Sequence, residues 1–291
     1  MSLVSFEHAE NLDYDSIKAA IERSLANIKF NFRRKIKKLV IKPNMCYYIH
    51  PSTGDVTHPC FVSALIDVLR ENFAVEYETF IVESDASAMK CRYCFRMLGY
   101  DKMAEEKGAK LVNLSQEQSR IVEVRVNNSS FKFYIPEIFY EADFVVNVPK
   151  IKYMSGSKIT CALKNIFGCN AFAKKSVYHK ELDNAIVGIN KLVKTNLVVV
   201  DGLIVCGKST KRLDMVMASE DPVAVDSAAS KMLGINPNSV GHILTAANEG
   251  IGKKEFLPIG DFVYFKTMFP KRSFKDNARA SVASVYMRLL K

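Results

Sequence analysis

The stretch from Ala142 to Gly168, ADFVVNVPKIKYMSGSKITCALKNIFG, decides how this chain is read. Phe144 to Val148 is a short apolar run of the kind that forms a buried strand, and Pro149 ends it. Lys150 and Lys152 follow at the carboxyl end of that strand. The Ser155-Gly156-Ser157 turn predicts a helix start, with Lys158 and Thr160 in its first turn. Lys164 and Asn165 fall about two turns later, near one face with Cys161. Backbone N–H groups at a helix start, surrounded by lysines, suit an anion. The plainer reading is a short surface helix with solvated lysines.

Outward from this segment the same pattern recurs. LVIKPN ends in Lys42-Pro43-Asn44, TFIVES in Glu83-Ser84, and NLVVV in Asp201-Gly202. Further strands are expected at 109–114 and 215–219, and a hairpin is expected to turn at Asn127-Asn128-Ser129-Ser130. Helices are expected over 13–29, from Pro59 through Leu69, and near 93–107, 180–194, 222–233 and 238–249. Strands alternating with helices predict an α/β fold, a mostly parallel sheet flanked by helices, in two associated lobes. The expected division is an N-terminal lobe over 1–150, a second lobe carrying the lysine-rich segment over 151–265, and a basic C-terminal helix over 266–291.

The chain has 291 residues, 48% hydrophobic and 25% charged, which excludes disordered and collagen-like material. Lys and Arg total 41 against 31 Asp and Glu, a net charge of +10. That excess favours anionic ligands without choosing among nucleic acid, membrane surface and small molecules. No apolar run reaches a membrane span of about 18 residues, and the start MSLVSFEHAENLDYD lacks a charged-then-apolar leader, so a soluble cytoplasmic protein is expected. Seven scattered cysteines point to reduced thiols.

Open α/β sheets bind ligands outside the carboxyl ends of their strands, and three such ends deliver polar groups here, at Lys42/Asn44, Glu83/Ser84/Asp85 and Lys150/Lys152. Neither the phosphate-binding G-x-x-x-x-G-K-[ST] loop nor the dinucleotide G-x-G-x-x-G pattern is present. Cys91 and Cys94 form a lone CxxC, short of the four ligands a structural zinc site or iron–sulphur cluster needs. His179 and His242 are candidate proton-transfer groups, each weighed against an ordinary structural histidine. Asp221 stands where a helix cap belongs, and Asp226 lies further in.

At LVIKPN, THPCFVSALIDVL, IVESDAS, ADFVVNVPKIK, GSKITCALKNIFG, VVVDGLIVCG and ASEDPVAVDSAASKMLG the sequence resembles the domain of unknown function 362 family, which occurs alone or fused to iron–sulphur ferredoxin modules. The resemblance spans roughly 37–255 and places Lys42, Asn44, Lys150, Lys152, Lys164, Asn165, Gly168, His179, Asp201, Gly202, Asp221 and Asp226 at that family's recurring polar and glycine positions. Where the family reads Pro-Lys-x-Lys-Thr-His, this chain has Tyr153-Met154 after Lys152, and the four-cysteine ferredoxin run does not occur. A fainter similarity, in the order of a Gly–Ser turn, a lysine and a glycine, resembles the nickel-pincer lactate racemases at the level of fold.

These readings give an expected site. Lys42, Asn44, Lys150, Lys152, Lys158 and Asn165 are expected to bind a small carboxylate or phosphate, with Lys164, His179 and Asp226 in catalysis. Asp201 and Asp221 are candidate ligands for a divalent metal. A second reading, which the resemblance suggests, is a redox accessory protein that works with an iron–sulphur cluster or a ferredoxin-like partner through Cys91, Cys94 and distant cysteines. A third is nucleic-acid binding through FRRKIKK and the basic tail, for which no reading motif is present.

Overall fold

The chain begins with β1 (Ser2–His8), a strand not anticipated from its sequence. Asp13 then accepts the Ser16 N–H at 2.8 Å and starts the amphipathic helix α1 (Tyr14–Asn27). This computed structural model describes residues 1–31, 35–73, 75–86 and 89–273. The elements that follow are β2 (Lys38–Pro43), α2 (Pro59–Asn72), β3 (Glu78–Glu83), α3 (Cys91–Met97), α4 (Tyr100–Glu106) and β4 (Lys110–Asn113). Next come β5 (Ser119–Val126), β6 (Ser129–Pro136), α5 (Ile138–Glu141), β7 (Phe144–Val148), β8 (Lys152–Met154), β9 (Lys158–Thr160) and α6 (Ala162–Ile166). The second half adds α7 (Leu182–Leu192), β10 (Leu197–Cys206), β11 (Thr210–Ser219), α8 (Pro222–Met232), α9 (Gly241–Asn248), β12 (Phe256–Gly260) and α10 (Phe262–Met268).

Among the described residues the main sheet has ten strands, in the order β12-β1-β11-β10-β7-β2-β3-β4, with β8 and β9 attached beyond β10. Neighbours from β10 through β7, β2 and β3 to β4 run parallel, while β11 runs antiparallel to β10 and to β1. The protein is thus a mixed α/β fold with a mostly parallel sheet. Strands from both sides of residue 150 lie in this one sheet, because β1 pairs with β11 and β12 and β7 pairs with β10.

Strand side chains alternate between two helical layers, as a pleat requires. Leu39, Ile41, Ile81, Val146 and Val199 pack with α1 through α4 on one face. Val40, Val82, Val145, Val198 and Val200 pack with α6 through α9 on the other. Burying one such side chain contributes about 1.5–3 kcal/mol, so the two faces hold the sheet as a slab between helices.

Three local expectations change. The helix expected near 93–107 is two helices, because Gly99 takes a left-handed φ of 79° between α3 and α4. The helix expected over 180–194 begins as a 3-10 segment, Lys175–Glu181, before α7. The Ser155-Gly156-Ser157 turn closes the hairpin β8–β9 rather than starting a helix, so Lys158 and Thr160 lie in a strand and α6 begins only at Ala162. The basic tail from residue 274 onward, and Phe32, Arg33 and Arg34 of FRRKIKK, lie outside the described residues.

Candidate functional site

From β2 the chain steps outward to β3 and β4, then returns to lay β7 on the other side of β2. Strand order reverses between β2 and β7, where Lys42 pairs in register with Asn147. Such a switch point opens a crevice at the carboxyl ends of the strands. The polar residues after β2, β3 and β7 converge there.

Lys42 is fully buried and forms a 2.8 Å ion pair with Glu83, while its Nζ also donates to the Pro43 carbonyl at 2.7 Å. Glu83 further accepts the backbone N–H of Ser84 at 2.9 Å. Gly168 leaves the room for this pair, since a Cβ there would stand 3.0 Å from Lys42 Cε and 3.2 Å from Glu83 Oε1. An amide chain ties the neighbouring strand ends together. Asn44 Nδ2 donates to Asn165 Oδ1 at 3.0 Å, and Asn165 Nδ2 donates to Asn147 Oδ1 at 2.8 Å and to the Lys42 carbonyl at 3.0 Å.

Lys152 points into the same region. Its Nζ donates to Asn44 Oδ1 and the Asp55 carbonyl, both at 2.8 Å, and lies 3.1 Å from Cys46 Sγ. Lys164 projects from α6 with no hydrogen bond or carboxylate partner among the described residues. Burial, with the charge of Lys152 adding to it, lowers its pKa to about 8. Lys175, on the 3-10 segment, donates to Ser84 Oγ at 2.8 Å and the Asp85 carbonyl at 2.9 Å, and burial lowers its pKa to about 8 as well.

Lys150 and Asp201 form a separate buried pair at 3.0 Å. Asp201 also accepts the backbone N–H groups of His58 at 2.9 Å and Leu203 at 3.2 Å. Burial lowers the pKa of Lys150, against the pull of the Asp201 charge.

The remaining sequence candidates lie elsewhere. Lys158 is exposed and bonds the Ser239 carbonyl. His179 is exposed on the Lys175–Glu181 segment. Asp226 accepts the Ala162 N–H at 2.6 Å and approaches the Leu163 N–H at 3.3 Å, so it caps α6 and supports Lys164 and Asn165 from behind. The helix start expected to hold an anion therefore holds this carboxylate. Asp221 caps α8 through the N–H groups of Val223 and Ala224 and takes further hydrogen bonds from Ser2 Oγ and the Lys253 N–H.

Asp221 and Asp201 do not meet. Ser219 pairs with Val198, which places Asp221 beyond the start of β10, while Asp201 lies past the end of β7 at the opposite edge. Both carboxylates are engaged by protein donors, and the two do not form one metal-ligand set. Cys91 and Cys94 are fully buried among apolar side chains of α3. Burial raises both thiols, Cys94 to about 12 and Cys91 further. Metal or cluster ligation needs thiolate. Among the described residues no group of three or more His, Cys, Asp or Glu gathers as ligands. The pair does not fit a cluster.

Sequence reasoning did not select Cys46, His58, Asn147 or Lys175. The position of His58 directly before Pro59, at a helix start, was a usable signal. Lys175 sits in a polar stretch that offers none.

Fold and site together define a mixed α/β protein with several lysines gathered near the carboxyl ends of its strands, at the strand-order reversal. The chain belongs to the family described as Domain of unknown function (DUF362), whose model matches residues 39–231. It is 23% identical over 266 residues to the thylakoid-associated protein sll1697 of Synechocystis sp., covering 85% of this chain and 77% of that protein. A solved structure, the lactate racemase apoprotein from Thermoanaerobacterium thermosaccharolyticum, aligns with a TM-score of 0.45 and 14% identity. That alignment covers 81% of this chain and 58% of the racemase, so the chain spans less than two thirds of it. Among the described residues no helix is long and apolar enough to cross a membrane.

Proposed function

We propose that the crevice at the β2/β7 switch point binds a small anionic substrate, a carboxylate or phosphate, and that Lys164 is its proton-transfer group. The carrying observation is a charge imbalance. Lys42 and Lys150 have carboxylate partners, in Glu83 and Asp201, but among the described residues no carboxylate lies within 4 Å of the Nζ of Lys152, Lys164 or Lys175. Lys152 is buried and Lys164 half-buried, close enough for the charge of Lys152 to lower the Lys164 pKa, and an anion beside the two offsets the cost of holding like charges partly out of water.

The three ammonium hydrogens of Lys152 face Asn44 Oδ1, the Asp55 carbonyl and Cys46 Sγ, so it is held rigidly and offers an anion its fixed positive charge rather than a free donor. Lys164 has no hydrogen-bond partner among the described residues, and a pKa of about 8 allows it to give or take a proton near neutrality. Asn165 and Asn44 fix the wall between them. Membership in the matched family supports an enzyme-like or accessory role and names no substrate.

The test is thermal unfolding with added sulfate, phosphate or malonate, read on the wild-type chain and on Lys164→Met. The wild type should gain stability that grows with anion concentration. Lys164→Met should weaken that response about 10- to 100-fold in apparent affinity, the worth of one charged hydrogen bond. A wild-type chain that none of these anions stabilises removes the proposal.

A further inference from the structure

We propose that a second, separate cavity, between the 45–58 loop and α1, binds a small monocarboxylate with an apolar tail. The cavity measures about 160 Å³ and is lined by His58, Lys150 and Asp201 at one side and by Leu12, Ile17 and Leu203 at the other. It opens on the face of the sheet covered by α1 and α2, where Ile17 and Leu203 belong to the apolar cluster of that layer. Lys164 and Asn165 are carried by α6, which packs in the other layer.

The polar side presents unused donors. Lys150 spends two of its three ammonium hydrogens on Asp201 Oδ1 and the Ile204 carbonyl, at 3.0 and 2.8 Å. The third has no protein acceptor among the described residues, although the side chain is only 1% exposed. His58 Nδ1 accepts the Cys60 N–H at 3.1 Å, which places the proton of the neutral ring on Nε2. Nε2 has no hydrogen-bond partner among the described residues. Both oxygens of Asp201 already accept, from Lys150 and Leu203 on one and from the His58 backbone on the other.

The two unused hydrogens on Lys150 and His58 favour a ligand end that accepts, and the ammonium favours a carboxylate over a neutral carbonyl, with His50 and the exposed Ser52 beside them at the cavity wall. The opposite wall selects hydrocarbon. An apolar protein cavity of about 150 Å³ holds benzene, so this one fits an acid of roughly six to nine non-hydrogen atoms. Pentanoate and benzoate fall within that range. Acetate would leave the apolar wall wet, and decanoate is too long.

The experiment titrates the full chain with acetate, pentanoate, benzoate and decanoate, read by thermal shift and by saturation-transfer NMR. Affinity should rise at least tenfold from acetate to pentanoate and fall again at decanoate. His58→Gln should weaken pentanoate at least tenfold. Leu12 is partly exposed, so Leu12→Trp fills the mouth of the cavity with little risk to folding. That variant should lose the pentanoate response and keep the sulfate response, which also certifies its fold. Affinity independent of chain length, or a pentanoate response that survives Leu12→Trp, overturns the assignment. A chain that binds pentanoate and ignores sulfate, phosphate and malonate refutes the crevice reading alone, and the reverse refutes this one alone.

Discussion

His242 Nε2 lies 3.6 Å from Asp226 Oδ2, the carboxylate that caps α6, while its Nδ1 lies 2.8 Å from Asp183 Oδ1. The first distance is that of an ion pair and not of a hydrogen bond. Burial alone would lower the pKa of His242, but the two carboxylates outweigh it and raise the value above 6.5. The folded state therefore holds the proton more tightly than the unfolded one. Its stabilisation is complete below the unfolded value and is lost as pH rises through the higher folded value. In urea unfolding the wild type should lead His242→Gln by most near pH 5.5, and the gap should narrow toward pH 8.5, on either side of the usual histidine pKa of about 6.5. Parallel curves would show that His242 does not titrate in this way.

Removing one partner of the Lys42–Glu83 pair strands a buried charge. Glu83→Gln should destabilise the fold by about 3–5 kcal/mol, whereas the double change Lys42→Met with Glu83→Leu should cost much less. A double-mutant cycle in denaturant measures the coupling. Additive losses would mean that the two side chains act independently despite their 2.8 Å contact.

Gly168→Ala tests the same pair by sterics. The added methyl would crowd Lys42 and Glu83 at 3.0–3.2 Å, tighter than ordinary carbon contact. Overpacking of this kind costs about 1–3 kcal/mol, to be read as a lower urea midpoint. An unchanged midpoint would show that the lysine stem yields without loss.

The sheet was legible because its central strands are apolar runs ended by proline or polar residues, as at Lys42-Pro43-Asn44 and Val148-Pro149-Lys150. The strand-end lysines were legible for the same reason. Their partnering was not, because Lys42 meets a carboxylate 41 positions away and Lys150 one 51 positions away, contacts created only when β3 and β10 take their places. The Ser-Gly-Ser turn fitted a helix start and a hairpin equally well, and pairing of Lys152 with Thr160 chose the hairpin. Asp226 stood out in the sequence as too far inside its helix to cap it, and was expected in catalysis. That it caps α6 follows from packing across 64 positions. The edge strand β12 and its neighbour β1 were missed because their sequences alternate weakly.

Thiol reactivity should divide along burial. Cys91, Cys94, Cys161 and Cys169 are buried, and burial holds each thiol above its ordinary range. Cys46, Cys60 and Cys206 are partly exposed. Brief iodoacetamide treatment of the native protein, mapped by peptide mass spectrometry, should label only the latter group, and unfolding should release the rest. Native labelling at Cys91 or Cys94 would reopen a redox role for that pair.

The crevice should also lose its anion affinity at alkaline pH. Lys164 and Lys175 have pKa values lowered to about 8, so both become neutral as pH rises through that value, well before an ordinary lysine would. The sign for stability is the reverse. Without anion, the unfolded chain binds more protons between about pH 8 and 10.5, so the folded state gains stability over that interval. With sulfate, whose charge is constant over this range, binding raises the lysine pKa values and the gain shrinks. Sulfate titrations at about pH 6.5 and 9.5 should therefore show at least a tenfold weaker apparent affinity at the higher pH, and Lys164→Met should flatten most of that dependence. If the wild-type affinity were the same at both, neither lysine would be the group that meets the anion.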